Sequence, residues 1–243
     1  MLKRTFDILV SGSVLLILCV PLAIIIVLLK LTGEHEAFYF QDRIGFMGKI
    51  IKVTKFATMV KDSPNLGTGD ITLRNDPRVL PLGKFLRKTK LNEIPQFWDV
   101  FVGTLSLVGW RPLMPRGFED YPPPVQEKIV NIKPGLTGIG SLVFRDEEGI
   151  MSRAEAEGRN PRECYRDDIM SYKGAVESWY VDHQNLLVDL KILTATALVV
   201  LLPQWTRYLN WFPGLPMPDS PLIRDTLHLT LKPTEIHYGA QGK

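Results

Sequence analysis

The sequence predicts a small, mostly helical α/β domain attached to a membrane by its N-terminal segment. Three observations point there. Ile8 to Leu29 is a run of 22 residues without a charge. Phe38 to Met59 strings short apolar and β-branched runs around Gly45 and Gly48, which is the pattern of extended structure with a turn. Glu147 to Gln184 is charged and helical in character. Of the 243 residues, 45% are hydrophobic and 23% charged, which excludes a disordered, collagen-like or polytopic membrane chain. A net charge of +3 is too small to indicate nucleic acid as a partner. Two cysteines, Cys19 and Cys164, make no disulfide scaffold and fit a reducing compartment.

The N-terminal segment is the strongest single signal. As a helix, 22 residues reach about 33 Å, enough for a hydrocarbon core of about 30 Å. A secretory signal would have an apolar region of about 7–15 residues and a small-residue cleavage site, which this segment lacks. Pro21 sits inside it and removes one backbone hydrogen bond. That leaves two membrane readings: a kinked single-pass helix, or a helix–break–helix that re-enters the same side. Lys3 and Arg4 precede the segment, and Lys30, Arg43, Lys49, Lys52 and Lys55 follow it. Basic residues on both flanks favour the re-entrant form.

Beyond the hairpin region, Lys61 to Pro77 reads as a loop. Leu80 to Val102 reads as helical, with Pro95 starting a new helix or bending an old one. Val108 to Pro124 holds five prolines and is expected to be largely irregular. Pro134 to Gly138 reads as a turn. Leu186 to Leu202 is apolar, but Asp189 and Lys191 argue against a second span. Trp205, Tyr208, Trp211 and Phe212 are spaced to share one side of a short helix, fitting either the membrane–water interface or a core.

The candidate chemistry lies between Lys84 and Arg116. Lys84, Arg87 and Lys88 fall at i, i+3 and i+4 and make one cationic ridge on a helix. Glu93 follows, and Arg111 stands between Trp110 and Pro112. Taken alone, the ridge reads as a solvated basic face with a structural arginine in preference to an anion site.

Longer strings go further. Leu86 to Val100 reads LRKTKLNEIPQFWDV, and Ser106 to Leu113 reads SLVGWRPL. With them, in order, stand Lys3-Arg4-Thr5-Phe6-Asp7, Gln41-Asp42-Arg43-Ile44-Gly45, Lys55-Phe56 with Thr58-Met59, and Asp76-Pro77-Arg78-Val79. Later come Pro134-Gly135-Leu136-Thr137-Gly138, Trp179-Tyr180-Val181 and Leu187 to Ile192. Together these resemble the bacterial sugar transferase family, the monotopic polyprenyl-phosphate phosphoglycosyl transferases, over about residues 3 to 200.

The resemblance implies an α/β (mostly helical) catalytic domain with an N-terminal re-entrant helix–break–helix. Its implied divisions are a membrane hairpin over 1–33, the catalytic domain over 34–202, and an interfacial helix with a Pro-rich tail over 203–243. It implies transfer of a sugar 1-phosphate from a nucleotide sugar, UDP-linked in expectation, to undecaprenyl or another polyprenyl phosphate. It also implies a Mg²⁺ cofactor, a place at the inner leaflet of the bacterial cytoplasmic membrane with the catalytic domain in the cytoplasm, and a homodimer as a possible partner state. Residue by residue, Lys55, Arg87, Lys88 and Arg111 are expected to bind substrate, and Glu93 to hold the metal.

Four positions depart from the family pattern, one of them Val20, which precedes Pro21 where the family often has Ser. Asn92 stands where the family has its nucleophilic Asp, and a carboxamide cannot form an acyl phosphate. An engineered change, a branch using Glu93 or direct attack by the lipid phosphate, and a catalytically silent relative are the three explanations. Ala57 replaces a basic residue. Trp110 replaces a proline, where it would either stack on the donor or pack in the core.

Overall fold

The computed structural model describes residues 2–66, 72, 75–202, 207–220 and 223–224, except the side chains of residues 148, 161 and 207. Helix accounts for 59% of the structure, beside two small sheets, in line with the expected class.

Helix α1 runs from Leu2 to Leu31 with Pro21 inside it. The backbone hydrogen bonding runs through Pro21 as one element. Proline's fixed φ suits a helix, and its missing N–H removes one rung without ending the run. Both halves of α1 are held by the rest of the chain. In the first half, Asp7 accepts the Ser106 hydroxyl at 2.9 Å and the Leu107 N–H at 3.0 Å. Lys3 pairs with the buried Asp189 and donates to the Val108 carbonyl at 3.0 Å. Arg4 donates to the carbonyls of Val100 and Phe101 at 2.6 and 2.7 Å. In the second half, Leu29 is buried with Ala37, Phe56 and Leu86, and Leu22, Ile25 and Ile26 pack on that cluster.

Much of α1 nonetheless faces outward. Only 6% of its most apolar 18-residue window is buried, too little for the core helix of a globular domain. By length and composition it is long and apolar enough to cross a membrane.

Strands β1 (Phe38–Ile44) and β2 (Ile50–Phe56) form an antiparallel hairpin, in register from Phe38 opposite Phe56 to Ile44 opposite Ile50. Side chains alternate across a strand, so Tyr39, Gln41 and Arg43 share one face with Ile51, Val53 and Lys55. On the other face Phe38 stacks on Phe56, and the Thr54 hydroxyl and N–H both bond to the buried Asp99. The following loop is pinned by a buried Asp76–Arg78 pair, with Arg78 also donating to the carbonyls of Ser63 and Leu66 at 2.9 and 2.8 Å.

Helix α2 (Pro81–Lys88) opens with Pro81 in its first turn. Gly83 lies so close to the preceding chain that a Cβ there would sit 2.1 Å from the Thr58 carbonyl oxygen. A 3₁₀ turn, Leu91–Glu93, follows Lys90, whose φ of 59° turns the chain sharply. Helix α3 (Gln96–Val102) begins after Pro95, as expected.

Strand β3 (Ser106–Val108) pairs in parallel with β4 (Gly135–Thr137). The segment read as a turn at Pro134 to Gly138 is thus mostly strand. Gly135 permits it, since a Cβ there would lie 2.1 Å from the Gly109 nitrogen. The proline-rich crossover is also less irregular than expected. Helices α4 (Pro115–Phe118) and α5 (Pro123–Ile129) each use proline in the first turn, where no N–H is needed.

The C-terminal half stacks α6 (Ile139–Val143), α7 (Glu147–Ala156), α8 (Pro161–Cys164), a π turn (Tyr165–Met170), α9 (Ser171–His183) and α10 (Leu186–Leu201). Trp110, Ile129, Val176, Tyr180 and Ile192 are fully buried between these layers. After α10, a 3₁₀ turn over Arg207–Trp211 brings Tyr208 and Phe212 into the core, and Trp211 packs against it. The Tyr208 hydroxyl donates to the Leu142 carbonyl at 3.0 Å, and Tyr172 donates to Pro216 at 3.0 Å. Core packing, not an interfacial helix, therefore accounts for these rings. Trp205 and the tail from residue 225 lie outside the described residues.

Candidate functional site

The hairpin face bearing Arg43 and Lys55 meets the 3₁₀ turn with Glu93 and the segment after β3 with Arg111. Glu93 and Arg111 form the central ion pair, with Arg111 Nη2 3.1 Å from Glu93 Oε1. Burial alone would raise the Glu93 pKa. Arg111, then Lys55 and Lys90, overcome burial and pull it down to about 2, so the carboxylate is always ionised near neutrality. Glu93 in turn raises Arg111 above its ordinary value against the effect of burial.

Lys55 is the softest cation of the group. Burial, with Arg43, Arg111 and Arg87 adding like charge, pushes its pKa down to about 7. Arg43 is lowered to about 10, by burial first and by Arg111 second. It donates to the Pro112 carbonyl at 2.9 Å and to Gln41 Oε1 at 2.5 Å, while its buried Nε has no partner. Arg43, Lys55 and Arg111 thus converge around one carboxylate, and Arg87 adds a fourth positive charge near Lys55. Such a surplus of half-buried positive charge costs stability unless an anion offsets it.

Asn92 is buried beside Glu93 in the same turn, and its Oδ1 is a buried acceptor without a hydrogen bond. An orphaned acceptor next to an ionised carboxylate is a donor set that suits a hard cation such as Mg²⁺, which takes one or two protein oxygens and completes its shell with phosphate oxygens and water. Among the described residues no three His, Cys, Asp or Glu side chains converge as a self-sufficient metal cage.

A second layer supports Arg111 from behind. Its backbone N–H donates to Glu177 Oε1 at 3.1 Å, and Glu177 is fully buried on α9. Burial raises Glu177 to about 7, against the Arg111 N–H and Lys173, and its Oε2 is unpartnered. One turn earlier on α9, the buried Lys173 bonds Glu147 Oε2 at 2.6 Å.

The structure brings Lys55, Arg87, Asn92, Glu93 and Arg111 together. Lys88 is exposed at the end of α2 and, among the described residues, makes no bond to the cluster; Lys84 is exposed as well. The i, i+3, i+4 ridge therefore divides, with Arg87 turned toward Lys55 and the two lysines toward solvent. Arg43 joins the cluster although it was not among the residues expected to bind substrate; its two-residue alternation with Tyr39 and Gln41 places it on the Lys55 face. Glu177 was not readable, because nothing near it in sequence marks its target. Trp110 is wholly buried with its Nε1 bonded to the Ile132 carbonyl at 3.0 Å, so it does not stack on a ligand.

Comparison with known proteins accords with this arrangement. The model of the family described as bacterial sugar transferase matches residues 1–203. The chain belongs to the bacterial sugar transferase family. It is 34% identical over 214 residues to a protein named undecaprenyl-phosphate galactose phosphotransferase from Salmonella typhimurium, covering 82% of this chain and 40% of that one. It is 33% identical over 216 residues to a UDP-galactose-lipid carrier transferase of Erwinia amylovora, with the same 82% and 40% coverage. Against the uncharacterized sugar transferase EpsL of Bacillus subtilis it is 31% identical over 214 residues, covering 86% of this chain and 92% of that protein. The chain thus spans less than half the length of the first two relatives and nearly all of the third. As a sugar transferase family member, it assembles its cation cluster from four of the motifs that mark the family in sequence. The Asp76–Arg78 motif pins a loop, and the first and last motifs meet each other through Lys3 and Asp189.

Proposed function

We propose that this chain transfers a sugar 1-phosphate from a UDP-linked sugar to undecaprenyl or a related polyprenyl phosphate at a membrane surface. The observation that carries the reading is the convergence of Arg43, Lys55 and Arg111 on Glu93, with Arg87 near Lys55, which suits a diphosphate dianion. The names of the relatives supply the substrate classes.

In this reading the four cations hold the diphosphate and neutralise charge that builds on it as the α–β bridge breaks. Glu93 and the Asn92 Oδ1 would hold Mg²⁺. Bound there, the ion supplies Lewis-acid polarisation and further neutralisation of the diphosphate. Because Asn92 cannot become an acyl phosphate and Glu93 is clamped by Arg111, the lipid phosphate oxygen attacks the β-phosphorus directly. The bond to the bridging oxygen breaks, and the nucleoside monophosphate leaves with that oxygen. Glu177 fixes the backbone at Arg111 and so its approach to the diphosphate.

A monotopic placement supports access to a lipid acceptor. A straight helix of 30 residues is about 45 Å long, more than a hydrocarbon core. Yet its first half docks on β3, α3 and α10 while its second half docks on β2 and α2. A span would carry one of those halves away from the domain. We therefore place α1 as re-entrant in one leaflet of the cytoplasmic membrane with the catalytic domain in the cytoplasm. Thiol labelling of Thr5→Cys and Glu34→Cys in intact cells tests it; reaction of either from outside overturns the placement.

A second reading follows from Asn92 itself: a silent relative that binds nucleotide sugar or scaffolds other transferases. Labelled UDP-sugars, polyprenyl phosphate and Mg²⁺ separate the two. Release of UMP by the chain as it stands supports direct transfer. Binding without release, unrelieved by Asn92→Asp, supports the silent reading. Appearance of release only in Asn92→Asp assigns the missing carboxylate as the nucleophile.

A further inference from the structure

We propose that Tyr39 is the ring on which the nucleobase of the donor stacks, an assignment that rests on the phosphate-site reading above. The hairpin carries three consecutive aromatic residues, Phe38, Tyr39 and Phe40, and strand alternation sends only the middle one to the face of Arg43 and Lys55. Phe38 is committed to the opposite face, where its ring stacks on Phe56 at 5.6 Å. Tyr39 stands directly opposite Lys55 in the β1–β2 register, and Gln41 and Arg43 continue the row. Its phenol lies within electrostatic reach of Arg43.

Exposure separates Tyr39 from the other rings near the cluster. Trp110 is 0% exposed and Tyr165 only 8%, both committed to packing, whereas Tyr39 keeps 38% of its surface open. A half-open ring on a rigid two-stranded ribbon, beside a lysine that binds phosphate, is placed for a flat group attached to that phosphate. A planar heterocycle gains most from such a ring, because offset stacking needs two π-faces. A saccharide offers C–H edges and hydroxyls, and the residue directly across from Tyr39 is Lys55, which the phosphate engages. The base is therefore the better occupant. Stacking of this kind changes affinity on the order of tenfold to a hundredfold.

The test uses the full chain in detergent with Mg²⁺ and two probes, UMP and inorganic pyrophosphate, titrated calorimetrically. UMP carries a base and no transferred sugar, and pyrophosphate carries neither. Tyr39→Ala is expected to weaken UMP about tenfold or more while leaving pyrophosphate within about twofold, and Tyr39→Phe to restore UMP. Equal weakening of both probes overturns the assignment and marks Tyr39 as support for the phosphate site. Unchanged UMP affinity with weaker binding of the intact UDP-sugar also overturns it, in favour of contact with the sugar. If the unaltered chain binds neither probe, the phosphate-site reading fails and the stacking assignment with it. If it binds both and Tyr39→Ala spares UMP, only the stacking assignment fails.

Discussion

Glu177→Gln should make the protein more stable above neutral pH while leaving it unchanged in acid. The carboxyl group is fully buried, and burial raises its pKa from 4.5 to about 7. A folded-state pKa above the unfolded one means that the fold favours the protonated form. That contribution is complete below about pH 4.5 and is lost as pH rises through about 7. At about 1.4 kcal/mol per pKa unit, the loss by pH 8 is about 3 kcal/mol. The amide binds no proton and keeps an oxygen for the Arg111 N–H, so the variant escapes the loss. Thermal unfolding in detergent at pH 5 and pH 8 reads the difference. For a chain of this size about 3 kcal/mol corresponds to roughly 6–12 °C in Tm. The unaltered protein should lose that much between the two pH values relative to Glu177→Gln. Parallel Tm–pH curves for the two proteins would refute the reasoning.

Lys55, with its pKa pushed down to about 7, loses its charge as pH rises through neutrality. The KM for the nucleotide sugar should therefore climb between pH 7 and pH 8.5, and Lys55→Arg should flatten that profile in steady-state assays. Arg111→Lys replaces a planar fork paired with Glu93 by a single ammonium. A drop in kcat/KM of about tenfold to a hundredfold is expected, with little change in Tm. Lys3→Met leaves Asp189 buried without its cation. Because the Lys3 side chain is 38% exposed, solvent screening limits the expected loss to about 1–2 kcal/mol, read by urea unfolding. Gly83→Ala drives a Cβ into the Thr58 carbonyl, and a loss of more than about 2 kcal/mol should appear in the same experiment.

The membrane helix, the hairpin and the helix after Pro95 were legible because each is written locally: a charge-free run, glycines between β-branched runs, a proline at a first turn. The motifs were legible as a series, but their division of labour was not. Lys3 and Asp7 look like flanking charges, and only the fold shows them bonded to Asp189, Ser106 and Leu107 about a hundred or more residues away. The Lys84–Arg87–Lys88 ridge misled for a related reason. Helical spacing puts three cations on one side, but α2 is only eight residues long and its packing turns Arg87 alone toward Lys55. Pro134 to Gly138 carries turn residues, but its glycines serve a close parallel pairing with β3. Glu177 and Tyr39 gain their meaning from what lies across from them, which a single sequence does not state.

The C-terminal turn gives the chain two different boundaries. The match to the family model ends at residue 203. The cooperative unit does not, because Tyr208, Phe212 and Ile223 are as deeply buried as the catalytic scaffold they cover. A chain cut at residue 203 would uncover the apolar residues of the C-terminal helices on which Tyr208, Phe212 and Ile223 pack. In this chain Tyr208 and Phe212 fasten the C-terminal helices from outside the matched region, so unfolding is to be measured on the full chain.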